Sequence, residues 1–477
     1  MTKLGEHAAK RERHPAIVTA ARTLTYGDLF HSVTTSMSAL KDLGFTASDV
    51  IGVSLDDEVE HLIVSLAIMG LGATHITFAT HDPPQVHAST AKRAVVNKTV
   101  STQEAAKILD HGSGPGALAA LHPAGAGTGA ALYLKTSGTT GDMNIVPFSE
   151  DQIADQALRH ADYEGERLLR LASIEHNNSK RHRLYCILAG GTNVFRPKGS
   201  FDLVDFVLAR NVTCLDISRM HASDIATLDG ADRLSDVKVR TGGSAVPYAV
   251  RRRIEQNVTR ELYVRYAATE CGAISMARPG EHDEAETVGV PLSDVELEIV
   301  GPNGMPLKRG ESGQIRLRAA GVATGYLNSP EDSAKRFKDG WFYPGDMGCM
   351  REDGRLVIQG RSDDMIVLNG LNIFPAEIER VLESHPDVTC AAALALPSRV
   401  HGQIPVAAVE LKSGATISIG ELQLFAREAL GLKAPRRILA LDRLPRNAQG
   451  KIVRKQILPL FKFGEPEGET IRQGHER

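Results

Sequence analysis

Apolar positions along the chain switch between two periods, and the switches outline its architecture. Leu29, Val33, Met37 and Leu40 recur at helical spacing after Thr25-Tyr26-Gly27-Asp28-Leu29, and Gly44 stops that run. Residues 50–55 then read as a strand, 61–71 as a helix and 74–78 as a further strand. Such alternation predicts a layered α/β domain. Residues 112–129 are rich in Gly and Ala and read as a connector that delivers the chain to a short buried strand at 130–134. Ile145-Val146 forms a return strand, and Ser149-Glu150-Asp151-Gln152 matches a capping box that starts a helix through residue 159. Residues 237–240 and 262–264 are further strands, whereas Arg251-Arg252-Arg253 reads as a solvated helix face.

The pattern becomes that of a smaller α/β unit near residue 364. Strands are expected at 365–368, 391–396 and 406–411, with helices at 375–384 and 419–430. The second helix carries Leu422, Phe425, Ala426 and Ala429 on one side. The fold class is therefore α/β, with a large multi-sheet N-terminal domain over 1–362 and a small C-terminal domain over 363–477.

Composition narrows the function. A chain of 477 residues with net charge −3 and 24% charged residues is an ordinary globular enzyme, and nothing argues for nucleic acid. Five scattered cysteines exclude a Cys-rich zinc motif and fit a reduced compartment. The first 14 residues lack the apolar centre of a leader, and the apolar stretch at 62–71 is too short to span a bilayer. A cytoplasmic protein without a membrane span is expected; the oligomeric state is not readable.

Candidate chemistry gathers in a few loops. Lys135-Thr136-Ser137-Gly138-Thr139-Thr140-Gly141 follows the strand at 130–134 and sets four hydroxyls beside two glycines. A turn of this kind is either a polar hairpin or a cradle whose amides and hydroxyls hold an anion. The Walker pattern is excluded, because Asp142 stands where a Lys would follow the last Gly. Later come His176-Asn177, Thr241-Gly242-Gly243-Ser244, Tyr266-Ala267-Ala268-Thr269-Glu270, Gly340-Trp341-Phe342-Tyr343-Pro344-Gly345-Asp346, Gly360-Arg361-Ser362-Asp363 and Asn447-Ala448-Gln449-Gly450-Lys451. Each alone is also an ordinary turn or a solvated side chain.

Taken in order, these stretches resemble the AMP-dependent synthetases, the adenylate-forming or acyl-CoA synthetase superfamily, over roughly residues 24–455. The resemblance implies ATP-dependent activation of a carboxylic acid to acyl-AMP with loss of pyrophosphate, then transfer to a thiol. It implies a mobile C-terminal domain that turns at Asp363 between the two steps. Thr136, Ser137, Gly138, Thr139, Thr140, Gly141, Gly243, Ser244, Tyr266, Thr269, Asp346 and Arg361 would hold the nucleotide. His176, Asn177, Gly243 and Ala268 would border the acid; Asn369 and Gly370 would face the thiol on a strand. Lys451, Thr269 and Glu270 would be catalytic, with Glu270 on Mg²⁺.

ATP, Mg²⁺ and coenzyme A are the implied cofactors, coenzyme A being favoured because no carrier module follows. A stand-alone ligase loading an acyl carrier protein through its phosphopantetheine arm is the alternative, and a non-catalytic nucleotide- or acyl-binding relative a lesser one. The chain departs from the family at several points. Asn177 stands where amino-acid-activating members keep an Asp, which argues against an α-amino acid. Met143-Asn144-Ile145 replaces Pro-Lys-Gly, removing a loop cation for which Lys135, Lys180 or Arg181 could compensate. Ala267, Pro344 and Asn369 are smaller departures.

Overall fold

The computed structural model describes residues 1–110, 129, 131–136, 143–446 and 452–461. The sequence-predicted connector at 112–129 lies almost wholly outside them, as do residues 137–142, Lys451 and the C-terminal residues after 461.

A nine-stranded sheet forms the centre. From one edge its strands run Val290–Pro291, Gly272–Ala277, Leu262–Ala268, Lys238–Gly242, Cys214–Ser218, Arg167–Arg170, Thr192–Val194, Pro15–Val18 and Thr23–Thr25. The strands from Leu262–Ala268 through Pro15–Val18 pair in parallel. Their carboxyl ends therefore share one edge of the sheet, where open α/β sheets collect ligands. A second sheet, ordered Lys98–Ser101, Val50–Ser54, Thr74–Thr77, Leu132–Lys135, Ile145–Phe148, carries the approach to the Ser/Thr/Gly loop.

Local signals explain several helices. Thr25 caps the helix Tyr26–Asp42 and Ser149 caps Glu150–Leu158, each with a reciprocal capping box closed by Asp28 and Gln152. One core joins Leu29, Val33, Leu62, Leu132, Leu168 and Cys214, filling the space between the two sheets; the other face of the nine-stranded sheet buries Leu215, Ile217 and Val239.

The helix Asn177–Ala189 lies within the first of these layers and breaks the usual rule. Its residues Ser179 to Ile187 are all buried, including Lys180, Arg181, His182 and Arg183 in succession. A helix buried all round is ordinarily apolar. Here the burial is met by polar partners. Arg183 Nη2 reaches Glu58 at 3.4 Å and its guanidinium stacks on Phe195 at 3.8 Å.

A β-rich unit follows, centred on the strand Ser312–Arg318 and including Asp346–Met350 and Leu356–Arg361. The C-terminal portion forms a five-stranded sheet covered by the helices Pro375–Ser384 and Ile419–Leu430, whose bounds match the expected ones. It is tied to the larger part by ion pairs Arg219–Glu383 at 2.5 Å and Arg380–Glu286 at 3.1 Å.

Two sequence expectations need correction. Arg251 is buried, donating to the carbonyls of Val246 and Thr287 at 2.9 and 2.6 Å; only its neighbours Arg252 and Arg253 reach solvent. Three backbone acceptors replace the water that a charged run usually keeps, Glu286 O being the third at 3.2 Å. Gly370 lies not on a strand but in the two-residue turn joining Ile366–Leu368 to Leu371–Ile373. Asn369 and Gly370 both have positive φ, 49° and 84°, the Asn-Gly geometry of a tight hairpin.

Candidate active site

Two strands and one cross-strand pair build the centre of the site. Lys238–Gly242 ends at Gly242-Gly243. A Cβ on Gly242 would stand 2.4 Å from the Arg265 carbonyl, so glycine is what lets these strands pair so closely. Gly243, at φ 85°, has nothing within 4 Å of its missing Cβ and leaves open backbone. That openness suits a flat ring, and Ser244 follows it in the exposed turn.

The neighbouring strand Leu262–Ala268 turns back antiparallel into Gly272–Ala277, so Thr269, Glu270 and Cys271 form a hairpin tip. A register shift after Tyr266 twists this tip. The tip is clamped from behind. Arg181 Nη1 donates to the Thr269 carbonyl at 2.7 Å and to Gln156 Oε1 at 3.3 Å, and Arg159 Nη1 donates to the carbonyls of Cys271 and Ala273. Glu270 is held twice, its carbonyl by Ala323 N at 2.8 Å and its Oε1 by the Tyr326 hydroxyl at 2.7 Å. Burial pushes the Tyr326 hydroxyl well above the usual phenol range, so it remains a donor to this carboxylate.

Asp346 and Arg361 are direct cross-strand partners in the β-rich unit. The Arg361 guanidinium lies 3.5 Å from Asp346 Oδ1, bonds the Pro344 carbonyl at 2.7 Å and pairs with Asp363 at 3.0 Å. The Tyr266 hydroxyl donates to Asp346 Oδ2, linking the hairpin to this pair. Burial pushes the Asp346 carboxyl up, against the pull of Arg361 and Tyr266. Tyr266, Asp346, Arg361 and Asp363 thus form one connected chain of polar contacts.

The remaining predicted residues fall around this centre. Thr136 closes the strand before the Ser/Thr/Gly loop, its Oγ1 accepting from Asn144 N at 3.2 Å. Ser137, Gly138, Thr139, Thr140 and Gly141 lie outside the described residues. His176 caps the buried basic helix, with burial lowering its pKa and its ring 6.1 Å from that of His81. Asn177 Nδ2 donates to the Lys135 carbonyl, which fastens the helix to the loop's approach strand. Ala268 ends its strand beside the hairpin tip. Asn369 contacts His401 at 3.1 Å within the C-terminal sheet. Lys451 lies outside the described residues, between Arg446 and Ile452, which pair as an isolated bridge.

The structure also settles what the altered loop does with its neighbours. Asn144 Nδ2 donates to Asp332 at 3.4 Å. Among the described residues Lys180 reaches only Ser65, Arg181 serves the Thr269 carbonyl, and Lys135 pairs with Asp82 at 3.4 Å. A lysine at position 144 would therefore meet Asp332 first. Sequence reasoning passed over Tyr326, Asp332, Arg159 and Gln156, and took Arg181 for a loop cation rather than a clamp, because these lie far along the chain from the groups they hold.

Among the described residues no group of three or more His, Cys, Asp or Glu side chains is placed to hold a metal. A single carboxylate at Glu270, fixed through Oε1, suits a hard cation that takes its other ligands from phosphate and water, the usual habit of Mg²⁺. Replacing Tyr326 by phenylalanine removes one hydrogen bond to that carboxylate, worth roughly 1.5–3 kcal/mol. We expect kcat/KM to fall by about tenfold or more and the half-saturating Mg²⁺ concentration to rise, read by metal titration of the initial rate.

A parallel-strand edge with open glycine backbone, a buried carboxylate paired with a half-exposed guanidinium and a clamped Thr-Glu tip thus lie together. Comparison with known proteins places this arrangement. The AMP-binding enzyme family matches residues 4–327, and the AMP-binding enzyme C-terminal domain matches residues 377–451. The chain belongs to this family of adenylate-forming enzymes. It is 27% identical over 474 residues to 2-succinylbenzoate–CoA ligase of Geobacillus kaustophilus, covering 94% of this chain and 95% of that one. It is 30% identical over 349 residues to indoleacetate–CoA ligase of Aromatoleum aromaticum, covering 69% and 67%. Its fold matches O-succinylbenzoate coenzyme A synthetase of Bacillus subtilis, a structure in complex with ATP and magnesium ion, with a TM-score of 0.83, 22% identity, and 96% and 99% coverage.

Proposed function

We propose that this chain is an AMP-forming acid–CoA ligase. The observation that carries the reading is the joining of Tyr266, Asp346 and Arg361 to the clamped Thr269-Glu270 tip at the strand ends. Relatives along nearly the whole chain that are CoA ligases support the acceptor.

In this reading Gly243 and Ser244 lie under the adenine with Tyr266 on its other side. Asp346 accepts the ribose hydroxyls, a task that suits a buried carboxylate with one side already oriented by Tyr266. Thr136 through Gly141 cradle the phosphates. Glu270 holds Mg²⁺, which supplies charge neutralisation to the phosphates when bound. His176, Asn177 and Ala268 border the carboxylate. A carboxylate oxygen attacks the α-phosphorus, the bond to the bridging oxygen breaks, and pyrophosphate leaves. The thiol of coenzyme A then attacks the acyl carbon and AMP departs with the oxygen that the acid brought.

Like charges repel as the acid nears the triphosphate, so the first step needs a cation beside both; we assign it to Lys451. The second step needs other contacts, and the domain from Asp363 onward turns to bring Asn369 and Gly370 toward the thiol. Among the described residues no helix is long and apolar enough to cross a membrane, and we place the enzyme in the cytoplasm.

The test is product analysis with ATP, MgCl₂, coenzyme A and a panel of carboxylic acids. AMP and pyrophosphate should form in step with loss of free thiol; ADP and phosphate in their place would refute the reading. Glu270→Gln keeps the shape of the carboxylate without its charge. The variant should retain its melting temperature while activity at limiting Mg²⁺ falls roughly 100-fold. Unchanged activity there would remove Glu270 from the metal.

A further inference from the structure

Behind the strand ends lies a buried ionic cluster that the steps above do not use. Arg265, Arg240 and Asp216 occupy three neighbouring strands of the nine-stranded sheet, on the face covered by the basic helix, and Arg170 closes the next strand. All four are buried. Arg265 Nη2 lies 3.2 Å from Asp216 Oδ2 and Arg170 Nη1 lies 2.6 Å from the same oxygen. Arg240 pairs with Asp162 at the protein surface.

The charges do not balance. Three guanidinium groups face two carboxylates, Asp216 and Asp162, while the nearby Glu166 is matched by Lys238 at 2.5 Å. The other titratable neighbours add no negative charge. Tyr163, hydrogen-bonded to His182 at 2.8 Å, is kept protonated by burial, and burial pushes the Cys214 thiol up to about 12. Burial also holds His160 and His182 neutral. Nε of Arg170 and Nε and Nη1 of Arg240 are buried without a hydrogen-bond acceptor, the Arg240 guanidinium lying over the Tyr163 ring at 4.7 Å. An unmatched buried cation with idle donors is costly, and structures meet such groups with water or an anion.

Its position says which anion. Asp216 and Arg240 precede Ser218 and Gly242 by two residues on the same strand faces. They therefore lie one side-chain layer, about 7 Å, below the strand ends where the reacting carboxylate is placed. We propose that this cluster is the far end of the acid pocket and receives a second anionic group of the substrate, so that the enzyme activates dicarboxylic acids of short reach. The proposal rests on the acid–CoA ligase reading. It fits Asn177 as well: a pocket with surplus positive charge repels the ammonium of an α-amino acid.

The test is ATP–pyrophosphate exchange by the wild-type enzyme with matched pairs: succinate against butyrate, glutarate against pentanoate, phthalate against benzoate. For the best pair kcat/KM of the dicarboxylate should exceed that of its partner by roughly 10- to 100-fold, the range for a charge-assisted contact in a buried site. Arg265→Gln should shrink that ratio by a similar factor. General structural damage would lower both acids together and leave the ratio unchanged, which would count against the proposal. Exchange with monocarboxylates at equal or higher efficiency overturns the dicarboxylate subsite and leaves the ligase reading standing. Exchange with none of the acids overturns both.

Discussion

Lys451→Ala is expected to abolish adenylate formation, lowering pyrophosphate exchange by about 1000-fold or more, while thioester formation from supplied acyl-AMP stays near the wild-type rate. The reasoning starts from charge. The acid and the triphosphate are both anions, and the clamp residues do not supply the missing cation: Arg159 and Arg181 are committed to the carbonyls behind Thr269 and Cys271. Arg361 is committed to Asp346 and Asp363. A cation arriving from the C-terminal domain is therefore what the proposed first step calls for. In the proposed second step the leaving group is already formed as AMP, and the same lysine would be turned away. Equal loss in both half-reactions would show that Lys451 is structural, or that the chain does not turn at Asp363.

The second large effect concerns stability. Lys180 is fully buried, and among the described residues its Nζ meets only Ser65 Oγ at 3.2 Å and no carboxylate is within ion-pair distance. Burial pulls its pKa down to about 7, with Glu175 opposing and Lys135 assisting. The unfolded chain returns it to roughly 10.4. Below pH 7 both states carry the proton, and the folded state bears the full cost of a buried charge. Between pH 7 and about 10.4 the unfolded chain binds a proton that the folded protein lacks, so stability from this group rises with pH, by about 1.4 kcal/mol per unit. Lys180→Met should remove that rise and increase the melting temperature at pH 7 and below. The measurement is the difference between wild-type and variant denaturation curves across pH 6–10. Taking the difference cancels the opposite trend from Cys186 and Cys214, whose buried thiols are pushed up. A parallel pair of curves would mean that Lys180 stays charged in the fold.

Lys180 also shows where sequence reasoning stops. Helices with a capping residue or an amphipathic face were legible: Ser149 marks one start through its capping box with Gln152, and Leu422, Phe425, Ala426 and Ala429 mark the helix Ile419–Leu430. Three of the five C-terminal strands were legible as apolar runs between turns, whereas Leu371–Ile373 and Ile438–Leu441 were not, each being only three or four residues long. The helix Asn177–Ala189 was not, since four successive basic residues give no apolar period and burial on all sides leaves no face to detect. Nor could spacing join Tyr326 to Glu270 or Tyr266 to Asp346, contacts that span 56 and 80 residues. Motif residues were visible because chemistry concentrates several unusual side chains in one turn. The groups that orient them are single residues on other elements, and only the fold brings them near.

The central claim is that an oxygen of the acid becomes bonded to the α-phosphorus of ATP. It is tested most directly with a carboxylic acid carrying ¹⁸O in both carboxyl oxygens, incubated with the enzyme, ATP, MgCl₂ and coenzyme A. The AMP released should carry one ¹⁸O atom, seen by mass spectrometry, and the pyrophosphate none. AMP without label, or ¹⁸O appearing in inorganic phosphate beside ADP, would contradict the account.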